Sequence, residues 1–121
     1  MRKEMMPPVR VRRAISADLD TLVRFNAAMA QETEGITLEP ARLRAGVATV
    51  LQDPNLGFYL VAETGGQVVG QLLITTEWSD WRNAFFWWIQ SVYVARAYRR
   101  RGVYRALDGC LRAKAQRRGN V

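Results

Sequence analysis

The sequence predicts one mixed α/β domain of α+β-like character, with its elements in the order β-α-α-β-β-β-α. The chain has 121 residues, which is the size of a single domain. Apolar residues make up 49% of it and charged residues 24%, as in soluble proteins that bury a core, so global disorder is excluded. Apolar side chains recur at strand spacing in some segments and at helical spacing in others. We expect residues 1–8 to form a loose leader and residues 9–121 to form the domain.

The first strand and the first helix are predicted near the start of the domain. Residues 9–14 alternate apolar and basic side chains, which is the pattern of a strand with one buried face. Ser16 and Asp18 carry side-chain oxygens that suit the cap of a helix. Apolar residues follow at helical spacing over residues 19–29, until Gly35 interrupts the pattern. The first helix is therefore expected between Asp18 and Gly35.

A second helix and a β-hairpin are predicted next. Pro40 suits a first helical position, and the apolar stripe that follows it stops at Asp53. Residues 58–63 and 67–76 have the composition of strands. A Gly-Gly pair in the connection between them suits the positive φ angles of a tight turn. Strands two and three are therefore expected to pair antiparallel.

The last part of the chain predicts a loop, a fourth strand and a third helix. Residues 77–83 are polar apart from two tryptophans and are interpreted as the loop. Residues 84–94 are aromatic and β-branched, which is typical of a strand. We interpret the aromatic side chains as core and sheet-face packing, because neighbouring strand residues point to opposite faces. From Val103 an apolar stripe predicts the third helix; it includes Cys110, interpreted as a buried unreactive thiol, and ends near Gly119.

Composition excludes several classes of chemistry. The chain has one cysteine and no histidine, so an intrachain disulfide, a Ser-His-Asp triad and a His-ligated metal are excluded, and we expect no metal site. A lone cysteine fits a reducing, cytoplasmic setting. The longest apolar run, residues 84–89, is too short to span a bilayer, and two early prolines interrupt any secretory signal. The net charge of +7 favours anionic partners such as nucleic acid, acidic lipid or a phosphate-bearing cofactor.

The most informative segment joins the fourth strand to the third helix. There, three consecutive arginines are followed by Gly102 and then by the start of the helix. Unpaired amides and the positive end of the helix dipole meet at such a junction, and a glycine lets an anion approach the backbone. The segment therefore predicts a pyrophosphate site. The alternative interpretation is a solvent-exposed basic turn without a ligand, because most clusters of like charge are simply solvated.

This junction resembles the acetyl-CoA signature of the GCN5-related N-acetyltransferase (GNAT) family, Gln/Arg-x-x-Gly-x-Gly/Ala. The upstream order of strand, two helices and three antiparallel strands is also that family's order. The resemblance implies a GNAT fold with a mostly antiparallel sheet and acetyl-CoA as cosubstrate. Tyr104 departs from the signature, because the family has a small residue there, so its ring must point aside. The residues that the resemblance assigns to the cofactor are Val92, Val94, Arg99, Arg100, Arg101, Gly102, Val103 and Tyr104.

The resemblance also implies the reaction, which is direct transfer of an acetyl group to a primary amine. The amide of Val92 would face the thioester carbonyl as an oxyanion-type stabiliser. The amine must lose a proton, and the family often uses a glutamate on the fourth strand for this, whereas residues 88–90 here have no carboxylate. We select Glu77, in the loop before that strand, as the base and Glu34, after the first helix, as the second choice; Asp80 and Glu32 are the other candidates. A solvated carboxylate is the alternative interpretation of Glu77.

The resemblance implies further strands beyond the third helix, and the sequence ends at Val121 before them. We therefore expect a C-terminally truncated domain whose fourth strand is an apolar edge, and a homodimer through that edge is one expected consequence. A non-catalytic acetyl-CoA-binding module is the first alternative function. A small basic nucleic-acid-binding protein is the second, and it is disfavoured because it leaves the Arg-x-x-Gly junction and the element order unexplained.

Overall fold

The computed structural model describes residues 7–120 and contains one antiparallel sheet. Its strands are β1 (Arg10–Arg13), β2 (Phe58–Thr64), β3 (Gln67–Ser79) and β4 (Ala84–Val94). They lie side by side in sequence order, and each neighbouring pair is antiparallel. Within the described residues β1 and β4 are the two edges. The mixed α/β class and the predicted element order are confirmed, and residues 1–6 of the predicted leader lie outside the described part.

Three helices pack on the two faces of this sheet. They are α1 (Leu19–Glu34), α2 (Pro40–Gln52) and α3 (Val103–Arg117), and short 3-10 turns span Ser16–Asp18 and Arg96–Tyr98. α1 and α2 cover one face, and α3 covers the other. No helix within residues 7–120 has the length and apolar character needed to cross a bilayer.

The alternation of side chains along the strands divides the core into two layers. Leu60 and Leu72 point toward α3, where they join the fully buried Leu107. Val61 points to the opposite face and joins Leu22 of α1. Burial of one such side chain contributes about 1.5–3 kcal/mol to folding. The stripe predicted for the third helix is confirmed as the α3 face of the core.

A glycine in β3 lets α3 approach the sheet closely. A Cβ atom on Gly70 would lie 2.9 Å from Cγ1 of Val103 and 3.3 Å from the Tyr93 carbonyl oxygen, which is tighter than ordinary packing. Val103 is the first residue of α3 and is buried against this position. Gly70 therefore sets where the N-terminus of α3 meets β3 and β4.

The start of α1 differs from the prediction at Asp18. This side chain makes no capping hydrogen bond to the helix. It is buried, and its carboxylate accepts hydrogen bonds from both terminal nitrogens of Arg12 (2.8 and 2.9 Å) and from the amide of Ile15 (2.7 Å). A bidentate arginine holds the carboxylate more strongly than a neutral amide does. Asp18 is the N-cap residue of α1 by position, but its carboxylate caps the preceding 3-10 turn through the Ile15 amide and links that turn to β1 through Arg12, instead of capping α1.

The hairpin between β3 and β4 is longer than predicted. β3 continues to Ser79, so Glu77 and Trp78 lie in a strand and the loop shrinks to residues 80–83. Trp78 lies opposite Phe85 of β4, and their rings meet edge to face with centroids 5.1 Å apart. Such cross-strand aromatic pairs stabilise an extended ribbon even where the sequence is polar. The loop assignment of Glu77 is therefore corrected to β3.

The aromatic residues of β4 are only partly in the core. Trp87 packs edge to face on Phe58, with centroids 5.2 Å apart, as the core interpretation requires. Phe85 and Trp88 are 41% and 50% exposed, so they lie outside the core and only the sheet-face part of the interpretation holds for them: Phe85 packs on Trp78, and Trp88 packs on Phe86. The reason is that β2 begins at Phe58, and the ribbon formed by β3 and β4 projects beyond it. Cys110 is partly buried and packs against the α3 layer of the core.

Candidate functional site

An open groove of about 790 Å³ lies where α1, β4 and α3 come together. The last turns of α1 form one wall, the end of β4 forms the floor, and the connection from β4 to α3 forms the other wall. The residues that line the groove are Met29, Glu32, Thr33, Val92, Tyr93, Val94, Tyr98, Arg99, Arg100, Gly102, Val103, Tyr104 and Arg105. Seven of the eight residues assigned to the cofactor thus lie together, and Arg101 does not line the groove.

The start of α3 presents unpaired backbone amides to this groove. Gly102 is the N-cap residue with a φ of 85°, and no side chain caps the helix. The first intrahelical bond runs from the amide of Ala106 to the carbonyl oxygen of Gly102 (3.0 Å), so the preceding amides of α3 have no acceptor within the helix. A Cβ atom on Gly102 would meet no protein atom within 4 Å. The junction can therefore receive an anion directly at the backbone.

The floor of the groove presents amides of β4 on the side away from β3. The amide of Ala95 donates to the Val69 carbonyl oxygen (2.8 Å) and so points toward β3. The Val94 carbonyl oxygen points the other way and accepts from Nε of Arg99 (2.8 Å). Because successive peptide groups of a strand point to opposite edges, the amides of Val92 and Val94 both point away from β3. These two amides are available to a ligand lying along the edge of β4.

A β-bulge lies just before these amides. Leu73 pairs with Ser91 and Ile74 pairs with Ile89, which leaves Gln90 as the extra residue on β4. The Gln90 side-chain amide donates to Oγ1 of Thr75 (2.8 Å) across the bulge. A bulge bends the strand and changes its direction locally. This bend separates the groove end of β4 from the projecting aromatic ribbon.

The three consecutive arginines have different surroundings. Arg99 is bound to the protein, because its Nη2 donates to Oε1 of Glu32 (2.8 Å) and its Nε to Val94. Arg100 and Arg101 are exposed and form no ion pair with any residue in the described range 7–120. Arg100 has a φ of 63°, a left-handed conformation. It lines the groove.

Glu32 and Tyr93 influence each other's ionisation at the α1 wall. The hydroxyl of Tyr93 donates to Oε2 of Glu32 (2.9 Å), and the Arg99 guanidinium lies 5.3 Å from the centre of the Tyr93 ring. The Arg99 hydrogen bond, followed by that of Tyr93, lowers the pKa of Glu32 below its usual range. Burial, followed by the Glu32 hydrogen bond, raises the pKa of Tyr93. At neutral pH this pair is a carboxylate and a neutral phenol.

Among the candidate general bases, Glu32 lines the groove, whereas Glu77 and Glu34 do not. Val92 lies in its floor, whereas Glu77 accepts a hydrogen bond from Nε1 of Trp88 (2.8 Å) on the projecting ribbon. Val92 pairs with Leu72, so Glu77 is five residues farther along β3, about 17 Å at ~3.3 Å per residue. Glu34 is exposed at the end of α1 and does not line the groove, because residues two apart on a helix point in nearly opposite directions.

Most of the α1 wall was not predicted from the sequence. Met29, Glu32 and Thr33 line the groove, and of these only Glu32 was considered, as a lower-ranked candidate base. They continue the sheet-facing stripe of Leu22 and Phe25 at helical spacing, so extension of that stripe to the end of α1 could have identified them. Tyr104 also lines the groove with its ring half exposed, and its amide belongs to the first turn of α3.

Comparison with known proteins places these features in a family. Residues 22–120 match the model of the acetyltransferase (GNAT) family. A possible acetyltransferase from Clostridium difficile 630 is 42% identical; the match covers 89% of this chain and 71% of that protein, with a TM-score of 0.86. No curated protein matches this chain significantly.

Two further solved structures share the fold at lower identity. One is a ribosomal-protein-alanine N-acetyltransferase from Brucella melitensis biovar Abortus 2308, 20% identical over 93% of this chain and 74% of that one, with a TM-score of 0.76. The other is an aminoglycoside acetyltransferase from an uncultured soil metagenomic sample, solved with sisomicin. It is 16% identical over 93% of this chain and 73% of that one, with a TM-score of 0.73.

Proposed function

This chain belongs to the GNAT acetyltransferase family, and from that premise we propose that it transfers the acetyl group of acetyl-CoA to a primary amine by direct attack. The groove is the binding site for the cosubstrate. Its floor takes the pantetheine arm, and the start of α3 takes the pyrophosphate. The acceptor amine enters beside the amide of Val92.

The observation that carries this proposal is the coincidence of two sets of unpaired amides in one groove. The first turn of α3 follows Gly102 and offers unpaired amides. A Cβ atom on Gly102 would meet no protein atom within 4 Å, so a ligand can approach these amides. The edge of β4 offers the amides of Val92 and Val94. A helix N-terminus suits phosphate, and a strand edge suits the amide groups of an extended arm. Arg100 lines the same groove and adds a positive charge there.

The chemistry follows from this placement. The amine nitrogen attacks the thioester carbonyl carbon, and the carbonyl oxygen becomes an oxyanion that accepts a hydrogen bond from the amide of Val92. The intermediate then collapses, the carbon–sulfur bond breaks, and the CoA thiolate leaves with the bonding electron pair. Donors aimed at such an oxyanion are worth on the order of 10²–10³ in rate in other enzymes. The amine proton must pass to a base during the reaction.

The base stays a prediction, because a general base must lie within hydrogen-bond reach of its proton or one water away. Glu77 lies about 17 Å along β3 from the partner of Val92, so the amine proton could reach it only through a chain of several waters. If Glu77 is the base, Glu77→Gln lowers the transfer rate most at neutral pH and less at high pH, where more of the amine is already deprotonated. An unchanged rate at every pH would remove Glu77 from the mechanism and leave Glu34 or water.

Calorimetry and a thermal shift with acetyl-CoA test the proposed binding. At 100 times its dissociation constant, acetyl-CoA should stabilise a binder by about 2.7 kcal/mol. Desulfo-CoA, which keeps the phosphates and lacks the thioester, should also bind if the phosphate contacts carry affinity. A transfer assay with a panel of primary amines then tests turnover. Absence of any acetyl-CoA binding to the folded chain would contradict the proposal.

A second candidate function is binding of acetyl-CoA without turnover. One observation favours it: among the described residues that line the groove, Glu32 is the sole carboxylate, and both its oxygens already accept hydrogen bonds. In this case acetyl-CoA binds, but the amine panel yields no acetylated product at any pH. If one amine is acetylated at a rate that changes when the backbone at Val92 is altered, binding without turnover is excluded.

A further inference from the structure

Glu32 joins three side chains that all come from the end of β4 and the connection to α3. Its Oε2 accepts from the Tyr93 hydroxyl (2.9 Å), and its Oε1 accepts from Nη2 of Arg99 (2.8 Å), with Nη2 of Arg96 at 3.7 Å from the same oxygen. We call these four residues, Glu32, Tyr93, Arg96 and Arg99, the Glu32 cluster. The cluster connects two segments that are more than sixty residues apart in sequence.

The charge and the hydrogen-bonding capacity of Glu32 are taken up by its protein partners. Its negative charge is balanced by Arg99 and Arg96, and both of its oxygens already accept hydrogen bonds. Glu32 is also a poor proton acceptor, because the hydrogen bonds from Arg99 and Tyr93 lower its pKa. The role of Glu32 therefore follows from the side chains that it binds.

Arg99 carries the effect of Glu32 into the backbone. Its Nε donates to the Val94 carbonyl oxygen (2.8 Å), at the last residue of β4, while its Nη2 binds Glu32 on α1. Its guanidinium also lies 5.3 Å from the centre of the Tyr93 ring. One side chain thus fixes the end of β4, the start of residues 95–102 and the last turns of α1 relative to each other.

We propose that Glu32 is a positioning residue that holds Arg99, and through it the connection of residues 95–102, in the shape that receives the cofactor. The effect of Glu32 on acetyl-CoA binding rests on the proposed function, whereas its effect on the order of residues 95–102 does not. Arg99 is then a structural member of the arginine run. Arg100 is the member that lies in the groove without a carboxylate partner in the described part of the chain.

The ordering is tested without ligand by hydrogen exchange of Glu32→Ala. Removal of the carboxylate leaves Arg99 without its α1 partner, so we expect amides of residues 95–102 to exchange about fivefold faster. Exposed ion pairs contribute little to global stability, so the melting temperature should hardly change. Asp20→Ala is the matched control, because Asp20 is a carboxylate on the same helix that binds Arg44 through an exposed ion pair. Unchanged exchange in Glu32→Ala, or an equal change in Asp20→Ala, would overturn the proposal.

The conservative variant and acetyl-CoA affinity complete the test. Glu32→Gln keeps an oxygen that accepts from Arg99 or Tyr93, so its exchange rates should lie between those of wild type and Glu32→Ala. Calorimetry should show acetyl-CoA binding about tenfold weaker in Glu32→Ala and unchanged in Asp20→Ala. Tighter binding in Glu32→Ala would mean that Glu32 acts as a repelling charge, which overturns the proposal. A wild-type chain that does not bind acetyl-CoA would contradict the proposed function, and the exchange result would still decide on the ordering.

Discussion

At the scale of one residue, the absence of a side chain on Gly102 lets a phosphate reach the amides of α3. Its φ of 85° is a conformation that side chains rarely adopt, and the space beyond its Cα holds no protein atom. A side chain here would therefore be strained and would also stand in the groove. These two effects can be separated, because Gly66, in the turn between β2 and β3, has a φ of 78° and equally open surroundings.

We expect Gly102→Ala to weaken acetyl-CoA binding at least tenfold, about 1.4 kcal/mol. Gly66→Ala should impose a similar backbone strain, about 1 kcal/mol of stability, without any effect on affinity. Calorimetry on both variants, with denaturation curves to measure their stability, provides the comparison. Equal affinities in the two folded variants would remove Gly102 from the binding site.

Asp18 shows how one buried charge makes stability depend on pH. The Arg12 hydrogen bond is the main cause that lowers the pKa of Asp18 below its ordinary value. A carboxyl whose pKa is lower in the folded state adds stability above its unfolded pKa, about 3.9, and loses it as the pH falls toward the folded pKa. Asp18 therefore stabilises the fold at neutral pH.

Asp18→Asn should lower the free energy of unfolding by about 1–3 kcal/mol at pH 7, because it leaves Arg12 without its anionic partner. The difference from wild type should shrink below about pH 4. Urea denaturation from pH 7 to pH 3 measures it, and Asp20→Asn, at an exposed ion pair, should differ little from wild type. A difference that is constant over this range would show that the charge of Asp18 is not the cause.

At the scale of elements, β4 combines the site with an exposed edge. Its groove end presents the amides of Val92 and Val94, and in the described residues no strand pairs with this side of it. Near its other end, the amide of Phe85 donates to Oδ1 of Asn120 (3.2 Å). The strand has no charged residue, and Ile89 in its middle is 43% exposed. Unprotected edges of this kind pair with other chains.

We expect the 121-residue chain to self-associate through β4, with an apparent mass that rises with concentration in light scattering. Ile89→Lys should reduce this association, because a lysine on an edge strand opposes pairing. Leu56→Lys is the control, since Leu56 is similarly exposed but lies before β2. A monomer at all concentrations would show that β4 does not act as a pairing edge in solution.

The whole molecule carries a net charge of +7, which attracts any polyanion. The groove binds its ligand through a few short contacts, so we expect acetyl-CoA affinity to fall only about threefold between 50 and 500 mM salt. Nucleic acid held by many phosphate contacts would lose about 10³–10⁵ in affinity between 50 and 200 mM. Calorimetry with acetyl-CoA and with a short duplex, over the same salt series, measures both. A steep slope for acetyl-CoA would show that general charge, and not the groove, carries binding.

The sequence by itself determined the features that depend on neighbouring residues. Gly35 ends α1 in a left-handed conformation, and Glu39 before Pro40 caps α2 by accepting the amides of Ala41 and Arg42. The turn between β2 and β3 has two positive φ angles, as its Gly-Gly pair predicts. The junction of strand, glycine and helix is equally local. Each of these is set by backbone sterics or by hydrogen bonds within a few residues.

Only the tertiary structure decided which of several possible partners a side chain binds. Asp18 binds Arg12 and not the helix end, and Glu77 joins a strand because Trp78 and Phe85 pair across the hairpin. Glu32, which lies 67 residues before Arg99, became part of the groove through the packing of α1 on the sheet. The spacing of residues along the sequence does not show which side chains pair. The free energy of a salt bridge or an aromatic contact depends on a geometry that the whole fold creates.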